Sequence, residues 1–325
     1  MGDRDKSKKV MKTAWLIDSS IYVFKAWHTR PSDLTDIHGK PINAVLGFID
    51  FAYRLLSVER PELIAFAFDE SLKTSHRKEI YPEYKANRAP APDSLKYQFQ
   101  LCRAFIRALG IHEGASLQYE ADDLIGTWAK TLREHSVACN IITADKDLAQ
   151  LIYENDHWWE YDRGEPFDTK KITKRFRAKP RQIADQLAIA GDKSDNIPGV
   201  PGIGMSTAGK LLRRFDNLDN LFVSIPEISS MQIRGAARIQ DLIEEHQEMI
   251  LLSRQLTGIQ CEIEDVDFKQ FTIAESSEND FIELCEQLAL PHKRQQEWLR
   301  LQKELLVNRP EATAVPLTII PAPSG

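Results

Sequence analysis

The sequence predicts an α/β protein with a mainly parallel central sheet flanked by helices. Three observations carry that expectation. Short apolar runs in "TAWLIDSSIYVFKAW", "PELIAFAFDE" and "NIITADKDLAQLI" each end at an aspartate, respectively Asp18, Asp69 and Asp145. Between them, "APDSLKYQFQLCRAFIRALGI" and "EADDLIGTWAKTLREH" place apolar residues at helical spacing. Finally, 325 residues with 42% apolar content are enough to bury a sizeable core. Strands alternating with helices form crossover units, and such units make parallel sheets. Ligands of open sheets collect beyond the carboxyl ends of the strands. All three aspartates fall there.

The first run is a strand followed by a helix, and the second a buried strand. In the third, Asp145 stands just past the strand end and Asp147 opens a helix. From about residue 180 the pattern turns helical. "PRQIADQLAIAG" precedes a Gly/Pro turn and "STAGKLLRRF" follows it, while "GAARIQDLIEEHQEMILLSRQL" and "NDFIELCEQLAL" continue the pattern. The organisation expected is a polar extension at 1–12, an α/β core at 13–175 and a helical C-terminal subdomain at 176–307. The last 18 residues hold four prolines and read as a disordered tail, 308–325.

Composition narrows the class. Four well-separated cysteines match no zinc spacing and fit a reducing compartment. No apolar run approaches the roughly 20 residues of a membrane span. The start, "MGDRDKSKKVMK", lacks the apolar centre of a secretory signal, and Lys6 breaks the Gly2 myristoylation pattern. A cytoplasmic, monomeric protein without a membrane partner is expected. The net charge of −6 argues at first against nucleic acid. The distribution reverses that view: residues 73–107 carry eight Lys/Arg against three Asp/Glu, and residues 163–181 eight against two.

Nine acids stand at strand ends or helix starts: Asp18, Asp69, Glu120, Asp122, Asp123, Asp145, Asp147, Asp192 and Asp195. Glu120 and Asp123 share a helix face, and Asp192 and Asp195 have the same spacing. So many gathered carboxylates repel one another unless cations occupy the site. Oxygen-only ligands favour Mg²⁺ or Mn²⁺. Two such ions suit in-line displacement at a phosphodiester, one activating water and one steadying the leaving oxygen. Close behind Asp69, "SHRKEIYPEYKANRAPAP" interleaves Arg77, Lys78, Lys85 and Arg88 with Tyr81 and Tyr84. Basic groups can hold a single strand's phosphates while rings stack on its bases.

The stretch "GDKSDNIPGVPGIGMSTAGKLL" runs from two acids into a turn with Gly199, Gly202 and Gly204, then into a helix. Bare backbone amides at such a helix start hold phosphate without reading sequence. Residues 204–210, "GMSTAGK", also fit the first seven positions of a P-loop. Leu211 then replaces the Ser or Thr that would reach Mg²⁺, and no strand precedes it, which argues against nucleotide hydrolysis.

These motifs resemble the 5′-nuclease (flap endonuclease) family of bacteria and phages, most closely the 5′–3′ exonuclease domain of bacterial DNA polymerase I. The resemblance spans about residues 13–290 and rests on "FDE…HRKEIYPEYKANRAP", "YEADDLIGTWA", "TADKDLAQL" and "GDKSDNIPGVPGIG", in family order and spacing. No polymerase follows, so a free-standing member is expected. The resemblance implies a PIN-like or resolvase-like core with a helical arch within residues 70–107 and a helix–three-turn–helix subdomain. It implies a first metal region at Asp18, Asp69, Glu120, Asp122 and Asp123, and a second at Asp145, Asp147, Asp192 and Asp195. Arg77, Lys85 and Arg88 would stand near the scissile phosphate, with Tyr81 stacking on a base. Main-chain carbonyls of Ile189, Ala190, Pro198, Val200 and Ile203 would hold K⁺. Gly199, Gly202, Gly204, Met205, Ser206, Thr207 and Lys210 would meet duplex DNA. The implied activity is Mg²⁺-dependent 5′–3′ exonuclease and flap cleavage in DNA replication and repair, the partner being DNA with a 5′ single strand or flap beside duplex.

Departures from the family pattern are Ser19 for Gly, Lys25 for Arg, Ala144 for Gly, and "GIGMS" for "GIGPK", which removes one basic duplex contact. Two other readings remain open at this point. A non-catalytic DNA-binding module would use the acids for structure only. A PIN-like ribonuclease would share the acidic sheet end, without calling for the arch or the Gly/Pro turn.

Overall fold

The structure is a computed structural model that describes residues 11–70 and 74–307. The expected tail at 308–325, and the extension up to residue 10, lie outside the described residues. In chain order the elements are β1 (Thr13–Asp18), α1 (Ser19–Thr29), α2 (Asn43–Glu59), β2 (Leu63–Asp69), α3 (His76–Ile80) and α4 (Asp93–Ala108). Then come β3 (His112–Ser116), α5 (Ala121–Glu134), β4 (Ala138–Ile142), β5 (His157–Trp159) and α6 (Thr169–Phe176). The helical part has α7 (Ile183–Ala190), α8 (Met205–Phe215), α9 (Leu218–Val223), α10 (Ala236–Glu245), α11 (Gln247–Thr257), α12 (Glu278–Gln287) and α13 (His292–Val307).

Five parallel strands form one sheet in the order β3-β2-β1-β4-β5. Because β1 sits centrally and the chain winds outward from it both ways, the switch point lies at the carboxyl end of β1. Successive side chains of a strand face opposite sides, and here both sides are buried. Trp15 and Ile17 of β1, with Ile64, Phe66 and Phe68 of β2, join one core. Ala14 and Leu16, with Leu63, Ala65 and Ala67, join the other. The expected strands and their terminal aspartates are therefore in place. Strands β3 and β5 escaped sequence reading because one is "HEGAS" and the other three residues long, too small or too short for a periodic signal.

Two differences concern the C-terminal part. The helical pattern at 235–256 is two helices, broken at His246, whose φ of −108° and ψ of 19° end α10. The expected helical subdomain at 176–307 also gives up its last two helices. Phe281, Cys285, Trp298 and Leu301 of α12 and α13 are buried with Phe48 and Phe105 in the first sheet core. Phe105 meets Trp298 edge-on at 5.0 Å. These helices cover apolar faces of α2 and α4 that would otherwise meet water. A separate core of Ile189, Val200, Ile203, Leu211 and Leu212 joins α7 to α8. Among the described residues no helix is long and apolar enough to cross a membrane.

Candidate active site

Asp18 ends β1, Asp69 ends β2, and Asp145 follows β4 by three residues, so neighbouring strands deliver three carboxylates to one edge. Thr143 links two of them: its hydroxyl donates to Asp18 Oδ2 at 2.8 Å and accepts from the Asp145 amide at 2.9 Å. Asp69 Oδ1 accepts the Ala121 amide at 3.0 Å, tying the start of α5 to the same edge. Glu120, the N-cap of α5, and Asp122 of its first turn thereby join the cleft. Asp192 and Asp195 enter from the loop after α7. An antiparallel bridge between Asp192 and Ile197 closes that loop, with amide–carbonyl bonds of 2.8 and 3.0 Å.

The electrostatics divide the acids into two sets. Burial, and then the charge of Asp69, push Asp18 well above the usual carboxylate range. Burial with Asp145 and Asp18 does the same to Asp122, and burial raises Asp145. Asp147, buried and facing Asp145, is pushed up to about 7. Glu120 goes the other way: burial opposes its ionisation, but Lys85 and Arg77 hold it down at about 2. Asp192 is likewise lowered against its burial, by Lys146 and Ser194. Crowded carboxylates with raised pKa values lack positive charge.

The cations present come from two segments. Lys85 Nζ donates to Glu120 Oε2 at 2.6 Å and lies 3.5 Å from Asp195. Arg88 pairs with Asp195, and Lys146 donates to Asp192 Oδ2 at 2.5 Å while lying 3.5 Å from Asp147. Among the described residues, no three Asp, Glu, His or Cys side chains already close on one ion-sized point. Lys85 and Lys146 stand between the acids that would do so. The donor chemistry nonetheless fits a hard divalent cation: the ligands are all oxygen, burial and crowding raise the pKa values of Asp18, Asp122, Asp145 and Asp147, and Asp147 Oδ1 is buried without a hydrogen-bond partner.

The segment expected as an arch lies against the cleft. Its Lys85 amide donates to the Asp195 carbonyl at 2.8 Å, Asn87 donates to the Lys193 carbonyl, and Asn196 donates back to Glu83. Tyr84, which the sequence reading did not single out as a site residue, is buried and donates its hydroxyl toward Glu120 and Asp195, each at 3.1 Å. Lys85 takes a left-handed φ of 53°, a strained backbone held by these buried contacts. Tyr81 is half-buried beside Tyr84, Ile197 and Leu256.

Two residues differ from expectation. Arg77 is 2% exposed and makes a bidentate pair with Asp123, both bonds 2.7 Å, while donating to the carbonyls of Leu256 and Gly258. It is a buried tie between α3, α5 and the end of α11, with four of its five N–H groups given to protein acceptors. Asp123 also accepts the amides of Glu120 and Gln260, at 3.1 and 2.9 Å. Its lone pairs are committed, so it has none left for a metal. Sequence spacing put Asp123 on the face of Glu120 but could not show that a capping box would turn it inward. Thr143, Lys146 and Ser194 were missed as partners. Their only signal was adjacency to the acids.

At the turn, the backbone of α7 and of residues 198–203 press together. A Cβ on Gly199 would stand 2.1 Å from the Gly191 nitrogen and 2.3 Å from the Ala190 carbonyl carbon. Gly202 holds a φ of 85°, and a Cβ on Gly204 would meet nothing within 4 Å. Gly204 caps α8, whose first amides at Met205, Ser206 and Thr207 precede any i→i−4 bond within the helix. The Thr207 amide turns back onto the Gly204 carbonyl at 2.9 Å. Ser206 and Lys210 are exposed. Of the carbonyls expected to face K⁺, that of Ile189 accepts from Val200, that of Val200 from Ile203, and that of Pro198 from the Ser253 hydroxyl. Each keeps a second lone pair.

Comparison with known proteins agrees with this arrangement. Residues 13–177 match the model of the 5′-3′ exonuclease N-terminal resolvase-like domain, and residues 178–279 that of the 5′-3′ exonuclease C-terminal SAM fold. DNA polymerase I of Bacillus caldotenax is 37% identical over 248 residues, 75% of this chain but only 27% of that protein's length. A 5′-3′ exonuclease of Buchnera aphidicola subsp. Acyrthosiphon pisum is 32% identical over 255 residues, 78% of this chain and 88% of the relative. Among solved structures, T5 5′-exonuclease with bound zinc superposes with a TM-score of 0.61 at 16% identity, covering 91% of this chain and 99% of the other. The catalytic core of Rad2 with DNA substrate gives 0.60 at 15% identity, covering 90% and 93%. Those two share the fold. With both domain models matched end to end over the acid-edged sheet and the glycine turn, the chain belongs to the 5′-3′ exonuclease family.

Proposed function

We propose that this chain is a monomeric 5′–3′ exonuclease and flap endonuclease that hydrolyses DNA with two divalent ions, Mg²⁺ or Mn²⁺. The observation that carries the proposal is the convergence of carboxylates from separate stretches of chain on one sheet edge, with raised pKa values in Asp18, Asp122, Asp145 and Asp147. Asp18, Asp69, Glu120 and Asp122 would hold one ion, and Asp145, Asp147, Asp192 and Asp195 the other. When bound, the ions supply an activated water and a counter-charge for the leaving oxygen. Lys85 and Arg88, which here neutralise Glu120 and Asp195, are the chain's own donors to the non-bridging oxygens of the phosphate. Thr143 fixes the carboxylate of Asp18 for its ligand role. Tyr81, partly free on the same segment, offers a face to a base of the 5′ strand.

Duplex DNA rests on the turn at 199–204, where the amides of Met205 and Ser206, the hydroxyl of Thr207 and the ammonium of Lys210 meet one strand's phosphates. Potassium at the carbonyls of Ile189, Ala190, Pro198, Val200 and Ile203 would add positive charge at that contact. The test is cleavage of 5′-flap, nicked and single-stranded DNA side by side, with and without divalent metal. Metal-dependent cutting of the flap substrate near its branch is the expected outcome. Retained DNA binding without any cleavage would leave only a binding module, and faster cutting of an all-RNA substrate would favour a ribonuclease.

A further inference from the structure

The second basic block, residues 163–181, takes no part in the acidic cleft. Helix α6 buries Ile172 completely and turns its charged side outward. Lys170, Lys174 and Arg177 follow at i, i+4 and i+7 and so form one stripe opposite Ile172. All three are exposed. Their neighbours Lys171 and Arg181 are paired, with Glu165 at 2.9 Å and Asp216 at 2.5 Å. Among the described residues, none of the three stripe cations has a carboxylate within salt-bridge distance. Three adjacent, unneutralised cations on a protein of negative net charge form a local field for an anion.

The stripe is joined physically to the glycine turn. Arg177, at the end of α6 with a left-handed φ of 60°, donates from Nη1 to Ser206 Oγ at 2.8 Å. Gln186 Nε2 bonds the Phe176 and Met205 carbonyls, both at 2.9 Å, so the end of α6 and the start of α8 are fastened by one side chain. The close approach needs Gly209, where a Cβ would stand 2.8 Å from the Arg177 carbonyl oxygen. Ser206 has no charge of its own, and Arg177 brings one to it. Away from the turn the stripe opens into a groove of about 620 Å³, lined by Tyr153, Lys170, Thr173, Lys174 and Lys179.

We propose that α6 is a second duplex-backbone track, in which Arg177, Lys174 and Lys170 take phosphates of the DNA arm that rests on the turn. This rests on the reading of the turn as a duplex clamp. Seven helical residues rise about 10 Å, over which one strand of B-DNA advances roughly three nucleotides. The contacts are to phosphate alone and carry no base readout.

The test is equilibrium binding of a 5′-flap duplex by fluorescence anisotropy across a KCl series in chelator, so that cleavage plays no part. Each cation withdrawn from a phosphate should reduce the slope of log K against log salt by about 0.9. Lys170→Ala/Lys174→Ala should lower it by about 1.8 and Arg177→Gly, which suits the left-handed backbone, by about 0.9. Lys170→Arg/Lys174→Arg should restore the slope, and Arg300→Ala/Lys303→Ala, the same charge change on α13, should leave it at the wild-type value. Equal slopes in wild type and the α6 variants would overturn the track while leaving the clamp intact. A wild type that binds no duplex would overturn the clamp and the track together. A reduced variant slope in a protein that cuts no DNA would support the track and count against the nuclease reading alone.

Discussion

The last two carboxylates of the acidic cleft, Asp192 and Asp195, run straight into the glycine turn, yet cleft and turn meet opposite electrostatic problems. The cleft crowds like charges into a buried edge, and its carboxyls respond with raised pKa values, as at Asp18, Asp122, Asp145 and Asp147, or by recruiting Lys85, Arg88 and Lys146. The turn contains no charge to neutralise. It packs neutral backbone so tightly that Gly199 has no room for a methyl group, and the amides of Met205 and Ser206 that begin α8 have no i→i−4 partner within the helix. The cleft is thus limited by charge and the turn by shape. Substitutions should therefore separate them: charge-neutral isosteres act on the cleft, and single methyl groups act on the turn.

The largest effect should follow Asp145→Asn. It keeps the shape of the sheet edge and removes one ligand charge, and cleavage should fall roughly 10⁴-fold, about 5.5 kcal/mol. Duplex binding measured in chelator should stay close to wild type. Cleavage within tenfold of wild type would mean the two regions are not separable as described. Next, Arg77→Ala strands the buried Asp123 carboxylate and should cost about 3–5 kcal/mol of folding stability, read by urea denaturation. A loss of activity without a loss of stability would return Arg77 to the reacting phosphate.

Within the turn, Gly199→Ala should cost about 1–3 kcal/mol and weaken duplex binding. Gly204→Ala, with open space around it, should change stability by less than about 0.5 kcal/mol. Equal effects at both glycines would remove the shape argument. The last effect concerns protons. Asp147 titrates near 7 in the folded protein but near 3.8 when unfolded, so between those values the native state holds the extra proton and loses stability as pH rises. Asp147→Asn should thus raise the melting temperature of metal-free protein by a few degrees at pH 7.5 and by less at pH 5, as followed by calorimetry. A gain that shrinks as pH rises would reverse the sign and contradict the crowding.

Much of this was legible in the sequence because apolar runs ending in Asp at successive strands leave few ways to fold. The alternating burial of β1 and β2 is a consequence of strand period, and the positions of Asp18, Asp69 and Asp145 follow from it. What sequence could not show was the partner of each side chain. Arg77 and Lys85 sit on one basic segment, yet one is buried against Asp123 and the other inserted between Glu120 and Asp195. That outcome depends on where α5 and the end of α11 lie, which no local pattern encodes. The return of α12 and α13 to the sheet core is likewise a tertiary choice: their helical period was visible, but not the surface that needed covering.

Direct titration of Mn²⁺ into metal-free protein, followed by electron paramagnetic resonance of the unbound ion, reaches the central point most closely. Uptake by the wild-type chain, markedly weakened in Asp18→Asn and in Asp145→Asn, is the result this account predicts. A wild-type chain that takes up no Mn²⁺, or variants that take it up as well as wild type does, would contradict it.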